Sequence, residues 1–125
     1  MKHDLEEQLF AINPAWFNRK NPRHSLMCFG FSVGDGWFPI LKELLEALKP
    51  IAPSNFEILQ VKEKFGGLRF YVGGDYSARV EELILAAETE ASDTCETCGK
   101  PGKLRGEAWL ATLCDECDSS KEEIL

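Results

Sequence analysis

The chain has 125 residues, the size of one compact domain with room for a small appendage, which excludes two full-sized domains. Hydrophobic residues make up 44% and charged residues 28%, ordinary globular usage that argues against wholesale disorder and fibrous repeats. A formal net charge of -7 argues against holding nucleic acid or acidic membranes by bulk attraction and leaves only a local basic patch as a route to either.

Charge is uneven along the chain. Residues 1–74 carry 9 basic and 8 acidic side chains (+1), and residues 75–125 carry 5 and 13 (-8), so the two stretches face different partners or different amounts of solvent. Met1 to Ile12 holds Asp4, Glu6 and Glu7 and lacks the apolar core of a signal peptide. No stretch approaches the roughly 20 apolar residues of a membrane span. The expectation is a cytoplasmic protein that does not enter membranes.

In chain order, residues 2–11 predict a short amphipathic helix with Leu5, Leu9 and Phe10 on one side, ending before Asn13-Pro14. The loop that follows contains Trp16, Phe17 and the basic cluster Arg19, Lys20, Arg23 and His24, which reads as soluble loop. Leu26 to Val33 reads as a buried strand, with Cys28 as a small buried hydrophobe. Gly34-Asp35-Gly36 turns the chain, and Trp37, Leu41, Leu44, Leu45 and Leu48 recur at helical spacing up to Pro50, with Asp35 as the N-cap. A second helix begins after Asp75 or Ser77. Val80, Leu83, Ile84, Ala87 and Ala91 form its apolar face, and Glu81, Glu82, Glu88 and Glu90 the solvent face.

Between the helices, Phe56–Phe65 and Leu68–Val72 predict two strands joined by a Gly66-Gly67 hairpin turn. A two-residue loop at those glycines sets Phe65 opposite Leu68, Glu63 opposite Phe70 and Val61 opposite Val72 on a mostly apolar face. The other face then carries Lys64 opposite Arg69 and Lys62 opposite Tyr71. Lys62, Lys64, Arg69 and Tyr71 are the candidate ligand- or partner-binding residues: clustered cations attract phosphate or carboxylate, and an aromatic ring stacks on a base. The competing reading is a solvated sheet face whose lysines suppress aggregation.

Four of the five cysteines form C-x2-C-x15-C-x2-C: Cys95, Cys98, Cys114 and Cys117. That spacing predicts a structural zinc site with one Zn2+ per chain, because four thiolates complete a tetrahedron and leave no position for substrate water. Redox-active CxxC pairs and an iron–sulfur cluster draw on the same residues. Gly99 after the first pair suits a zinc knuckle. Leu104–Leu113 can supply a hairpin, and the acidic run from Asp118 can open a terminal helix, which favours a treble clef over a plain zinc ribbon. Residues 95–125 are too few to fold on a core of their own, so metal binding is expected to be coupled to folding. The polar run Glu88–Thr94 suggests a boundary near Ser92 between an α+β domain (1–92) and a zinc-binding module (93–125).

Taken together, Gly34-Asp35-Gly36-Trp37, the stretch Val61-Lys62-Glu63-Lys64-Phe65-Gly66-Gly67-Leu68-Arg69-Phe70-Tyr71, and Cys95-x2-Cys98-Gly99 followed by Trp109-x2-Thr112-Leu113-Cys114 resemble a family of small uncharacterised proteins of bacteria, phages and prophages. The resemblance covers roughly residues 30–117. The family pattern often ends its second metal half-site near a histidine, where this chain offers Cys117. It implies relatedness and a mobile-element context, with no activity to carry over.

The expected fold is α+β: a small three-stranded antiparallel sheet with two main helices on one face, plus the C-terminal zinc-ribbon or treble-clef module. No G-x-S-x-G, H-E-x-x-H or phosphate-cradling glycine motif is present, so no catalytic residues are assigned. The expected function is non-enzymatic: a zinc-stabilised regulator or inhibitor that docks on a host macromolecular complex, its acidic second half meeting a basic protein. Nucleic-acid or nucleotide binding through the basic hairpin face is the alternative, and a small unrecognised enzyme the third.

Overall fold

In the computed structural model, which describes residues 1–124 and side chains as far as Ser119, the apolar stripes at helical spacing fold as their periodicity demands. Helix α1 (His3–Ile12) buries Leu9 and Phe10. Helix α2 (Phe38–Leu48) buries Ile40, Leu41, Leu44, Leu45 and Leu48, and ends two residues before Pro50. Helix α3 (Ala78–Ala91) buries Val80, Ile84, Ala87 and Ala91. The Ser77 hydroxyl caps α3 by accepting from the Val80 N–H at 3.3 Å. These helices share one apolar cluster with the sheet, in which Trp37, Phe31, Phe56, Leu41, Leu45, Ile58 and Val61 are all at most 1% exposed. Trp16 meets the Phe56 ring edge-on, and Phe10, Phe17 and Phe31 pack together with ring centroids 4.9–5.9 Å apart.

Strands β1 (Phe31–Ser32), β2 (Glu57–Lys64) and β3 (Gly67–Gly73) form a sheet in that order. It is mixed, and the all-antiparallel expectation is corrected: β1 runs parallel to β2, Phe31 beside Val61. Topology accounts for this, because β1 and β2 are joined by a crossover that contains α2, and a helical crossover returns the chain in the same direction. The expected strand Leu26–Val33 shrinks to those two residues. Met27–Phe29 forms a 3-10 turn, and Gly30 follows at φ 72°, where an added Cβ would meet the Glu6 carboxylate of α1. Cys28 sits on that turn and is exposed, not buried.

The hairpin turn also moves. Lys64 pairs with Gly67, Lys62 with Arg69 and Val61 with Phe70, so the two turn residues are Phe65 and Gly66 instead of Gly66 and Gly67. Both have positive φ, 54° and 82°, the pattern of a type I′ turn. The expected pairing of Phe65 with Leu68 on the apolar face is lost, because Phe65 enters the exposed turn; the two-residue slide otherwise preserves faces, and Lys62, Lys64, Arg69 and Tyr71 remain together on the solvent side. Tyr71 now faces Gln60, and a bulge at Leu59 restores Ile58 opposite Val72.

C-terminal to α3, a turn carrying Cys95 and Cys98 leads to the hairpin β4 (Lys103–Arg105) and β5 (Ala111–Leu113), then to helix α4 (Asp115–Ile124). Knuckle, hairpin and helix follow the treble-clef order. The helix opens at Asp115, three residues before the expected start, and so takes Cys117 into its first turn.

Candidate metal centre and the surfaces around it

The four cysteines converge from the knuckle turn (Cys95, Cys98), the junction after β5 (Cys114) and the first turn of α4 (Cys117). All five cysteines of the chain are free thiols, and the Sγ atoms of Cys95, Cys98, Cys114 and Cys117 lie within 4.8 Å of one another. Cys98 and Cys114 are 3.6 Å apart. A tetrahedron of sulfurs about 2.3 Å from a central ion has edges of about 3.8 Å, so the cluster needs only a small contraction to close on one. The cluster thus fits a zinc module: four soft donors, complete coordination, and no open position for a reacting water.

Proton affinities within the cluster point the same way. Burial raises the Cys95 thiol, but backbone hydrogen bonds at Cys114, Cys98 and Thr97 outweigh it and bring it to about 6. Against a backbone hydrogen bond at Lys100, burial and the Cys114 and Cys95 sulfurs hold Cys98 above its ordinary value. Burial, then the same neighbouring sulfurs, pushes Cys117 strongly up. With the Cys95 thiol lowered and the Cys98 and Cys117 thiols raised, a bound cation would favour the ionised form of the raised pair. Two basic side chains brace the module. Lys100 pairs with Glu116 at 3.0 Å. Arg105 donates to Leu113 O at 2.9 Å, Asp115 Oδ1 at 2.6 Å and Asp118 Oδ2 at 3.2 Å, tying β4 to the first turn of α4.

Two glycine motifs of the first 92 residues receive this module. Gly34-Asp35-Gly36-Trp37 is a cradle for the knuckle as well as the start of a helix. Gly36 N–H donates to Glu96 O at 2.7 Å, Gly34 N–H to Glu96 Oε2 at 2.9 Å, and Trp37 Nε1–H to Thr94 O at 2.9 Å. A Cβ at Gly36 would run into Cys95 O, Glu96 O and Gly99 N, all backbone atoms. Burial pushes the Glu96 carboxyl up, and the Gly34 N–H opposes it. Asp35 is not an N-cap; its carboxylate accepts from the Lys2 N–H at 2.9 Å and fastens α1. On the other side, the Thr112 hydroxyl donates to Gly66 O at 2.7 Å, and a Cβ on Gly66 would meet the Leu104 side chain.

The hairpin turn and the β4–β5 hairpin therefore touch, and each carries large apolar side chains exposed to water. Phe65 is 69% exposed, Leu104 54% and Trp109, on the loop joining β4 and β5, 76%. Phe65 is the one non-glycine residue with positive φ among the described residues. Sequence reasoning missed this apolar tip. Its available signal was a bulky apolar residue at each of two loop apices, Phe65 before Gly66 and Trp109 after Gly106.

The four candidate hairpin residues do share a face beside this tip. Lys62 lies directly opposite Arg69, and Lys64 Nζ is 5.6 Å from the Phe65 ring centroid. None of the three cations forms an ion pair among the described residues. The basic loop is different in kind. Arg19 lies 3.8 Å over the Phe10 ring and pairs with Glu7 at 2.9 Å, and His24 Nε2 is within hydrogen-bond distance of the Glu57 carboxylate at 2.9 Å, so both hold the loop to the fold. Glu88 likewise leaves the expected solvent face to accept from the Phe70 N–H at 3.2 Å. No described helix is long and apolar enough to cross a membrane. Compared with protein-family models, curated proteins and solved structures, the chain matches none.

Proposed function

We propose that the chain is a zinc-stabilised recognition protein of phage or prophage type, which regulates or inhibits a host protein complex in the cytoplasm by docking on it without catalysis. In this reading residues 1–92 are the scaffold and 93–125 the module that one Zn2+ holds folded. Zinc is the ion the donor set suits best, since four thiolates in a closed tetrahedron make a structural site.

The tip carries the proposal. Phe65 occupies a left-handed backbone position that costs a non-glycine residue roughly 1–2 kcal/mol, yet its ring is mostly in water. Strain kept for a side chain that contributes little to the core is the mark of a functional contact. Leu104 and Trp109, exposed on the adjoining hairpin, add apolar surface of the kind that marks binding sites for other proteins, where aromatic anchors dominate affinity.

The testing experiment is capture of partners from a bacterial lysate by the tagged, zinc-loaded chain, with and without nuclease, beside a Phe65→Gly, Trp109→Ala double variant. A stoichiometric, nuclease-resistant protein that the variant fails to capture is the expected result. A partner retained by the variant removes the tip from the account.

Lys62 opposite Arg69 favours a second reading. Like charges directly across a strand pair destabilise it, and an anion would relieve that cost, so nucleic acid lying on the Lys62, Lys64, Arg69, Tyr71 face is the alternative. Recovery of nucleic acid, with associated proteins lost after nuclease, would select it.

A further inference from the structure

Strand β3 is an open edge of its sheet, and its free side borders α3. In an antiparallel pair, alternate residues turn both backbone groups toward the partner strand or away from it. The two-residue turn makes Lys64 and Gly67 a bonded pair, so Arg69 and Tyr71 also bond across to β2, while Leu68 and Phe70 present N–H and C=O to the open side. Along that side Phe70 N–H donates to Glu88 Oε2 at 3.2 Å. An open groove of ≈ 430 Å³ between β3 and α3 is lined by the apolar Phe70, Val72, Ile84 and Leu85 together with Tyr76. Leu85 is 64% exposed although it sits on a helix packed against the core. The ionisable groups of the groove, Tyr71 and Tyr76 aside, are Glu81 and Glu88.

We infer that this groove takes an extended, lysine- or arginine-bearing segment of a partner protein, which adds a fourth strand along β3. The main-chain groups of Leu68 and Phe70 supply the hydrogen bonds of strand addition, and the apolar groove receives alternate side chains of the guest. Charge selects the guest: α3 carries Glu81, Glu82, Glu88 and Glu90 against Arg79 alone, and the groove itself offers carboxylates. A guest carbonyl takes over the Phe70 N–H and releases Glu88 to pair with a guest cation, so the carboxylate acts as a built-in stand-in for the missing strand. A second copy of this chain is a poor guest, because it would bring the same Glu81 and Glu88 against them. The groove is separate from the apolar tip, and the inference stands without the zinc reading.

The test uses the zinc-loaded full chain and three short labelled peptides: one alternating lysine and valine, one alternating glutamate and valine, and the lysine–valine peptide N-methylated at alternate amides to block strand pairing. Only the first is expected to bind, slowing hydrogen exchange at the Leu68 and Phe70 amides. The exposed substitutions Glu81→Lys and Leu85→Ser are each expected to weaken it by roughly tenfold or more. Equal binding of the glutamate or N-methylated peptide, unchanged affinity in both variants, no binding, or no protection of the two amides would overturn the inference. So would a concentration-dependent dimer that protects the same amides, since the groove would then belong to a second copy.

Discussion

Replacing Phe65 separates what its backbone costs from what its ring does. Phe65→Ala and Phe65→Gly remove the same ring, so the few contacts of a side chain that is 69% exposed cancel between them. The difference left is the turn conformation, φ 54°, which glycine adopts freely and alanine does not. The glycine variant should therefore be the more stable by about 1 kcal/mol, the low end of the penalty for an L-residue in the left-handed region. For a chain of this size that is a gap of about 4 °C in Tm. Thermal melts of both zinc-loaded variants, run beside partner capture, read the two effects together: stability should follow the backbone, and capture should fail equally in both. Equal melts would refute the strain argument, and retained capture in either variant would refute the role given to the ring.

Three further outcomes follow from the same geometry. Gly36→Ala sets a methyl group against the Cys95 and Glu96 carbonyls and the Gly99 N–H. It should lower stability by about 2 kcal/mol or more and speed metal loss to a chelator, whereas an unchanged melt would show that the knuckle does not dock there. Chelation should free the module and change Trp37 fluorescence, because the indole N–H bond to Thr94 O depends on the docked knuckle; an emission spectrum indifferent to chelator contradicts this. The Arg19 hydrogen bond depresses the Glu7 carboxyl below its ordinary 4.5. Its contribution is therefore present above pH 4.5 and is lost as pH falls through the depressed value. The stability difference between the native chain and Arg19→Ala, measured by urea unfolding across acid pH, should shrink on acidification without vanishing, since the guanidinium still lies over Phe10. A difference that grows in acid would reverse the sign of the argument.

Periodicity and spacing were enough to place α1, α2 and α3, the existence of the β2–β3 hairpin, its two faces, and the cysteine cluster, because each of those features is local or repeats along the chain. Three features were not legible, each for a physical reason. The turn at Phe65-Gly66 was hidden because Gly66-Gly67 satisfies the same positive-φ rule, and nothing local reveals that Thr112, 46 residues on, will bond Gly66 O. The parallel pairing of β1 depends on the crossover through α2 and rests on two residues. Asp35 looked like a cap because the chemistry of a cap is local, whereas its partner, the Lys2 N–H, lies 33 residues away. At the metal site all four cysteines were evident from spacing, but the groups that receive the module, Gly34, Gly36, Trp37 and Gly66, are read as docking residues only once the fold brings the two ends together.

The most direct test of the account is metal analysis of the chain purified without added metal, joined to X-ray absorption at the metal edge. The account predicts one zinc per chain with four sulfur ligands at about 2.3 Å, together with a melt that drops when the metal is removed. A preparation without metal that melts at the same temperature, or a coloured iron–sulfur protein, would contradict it.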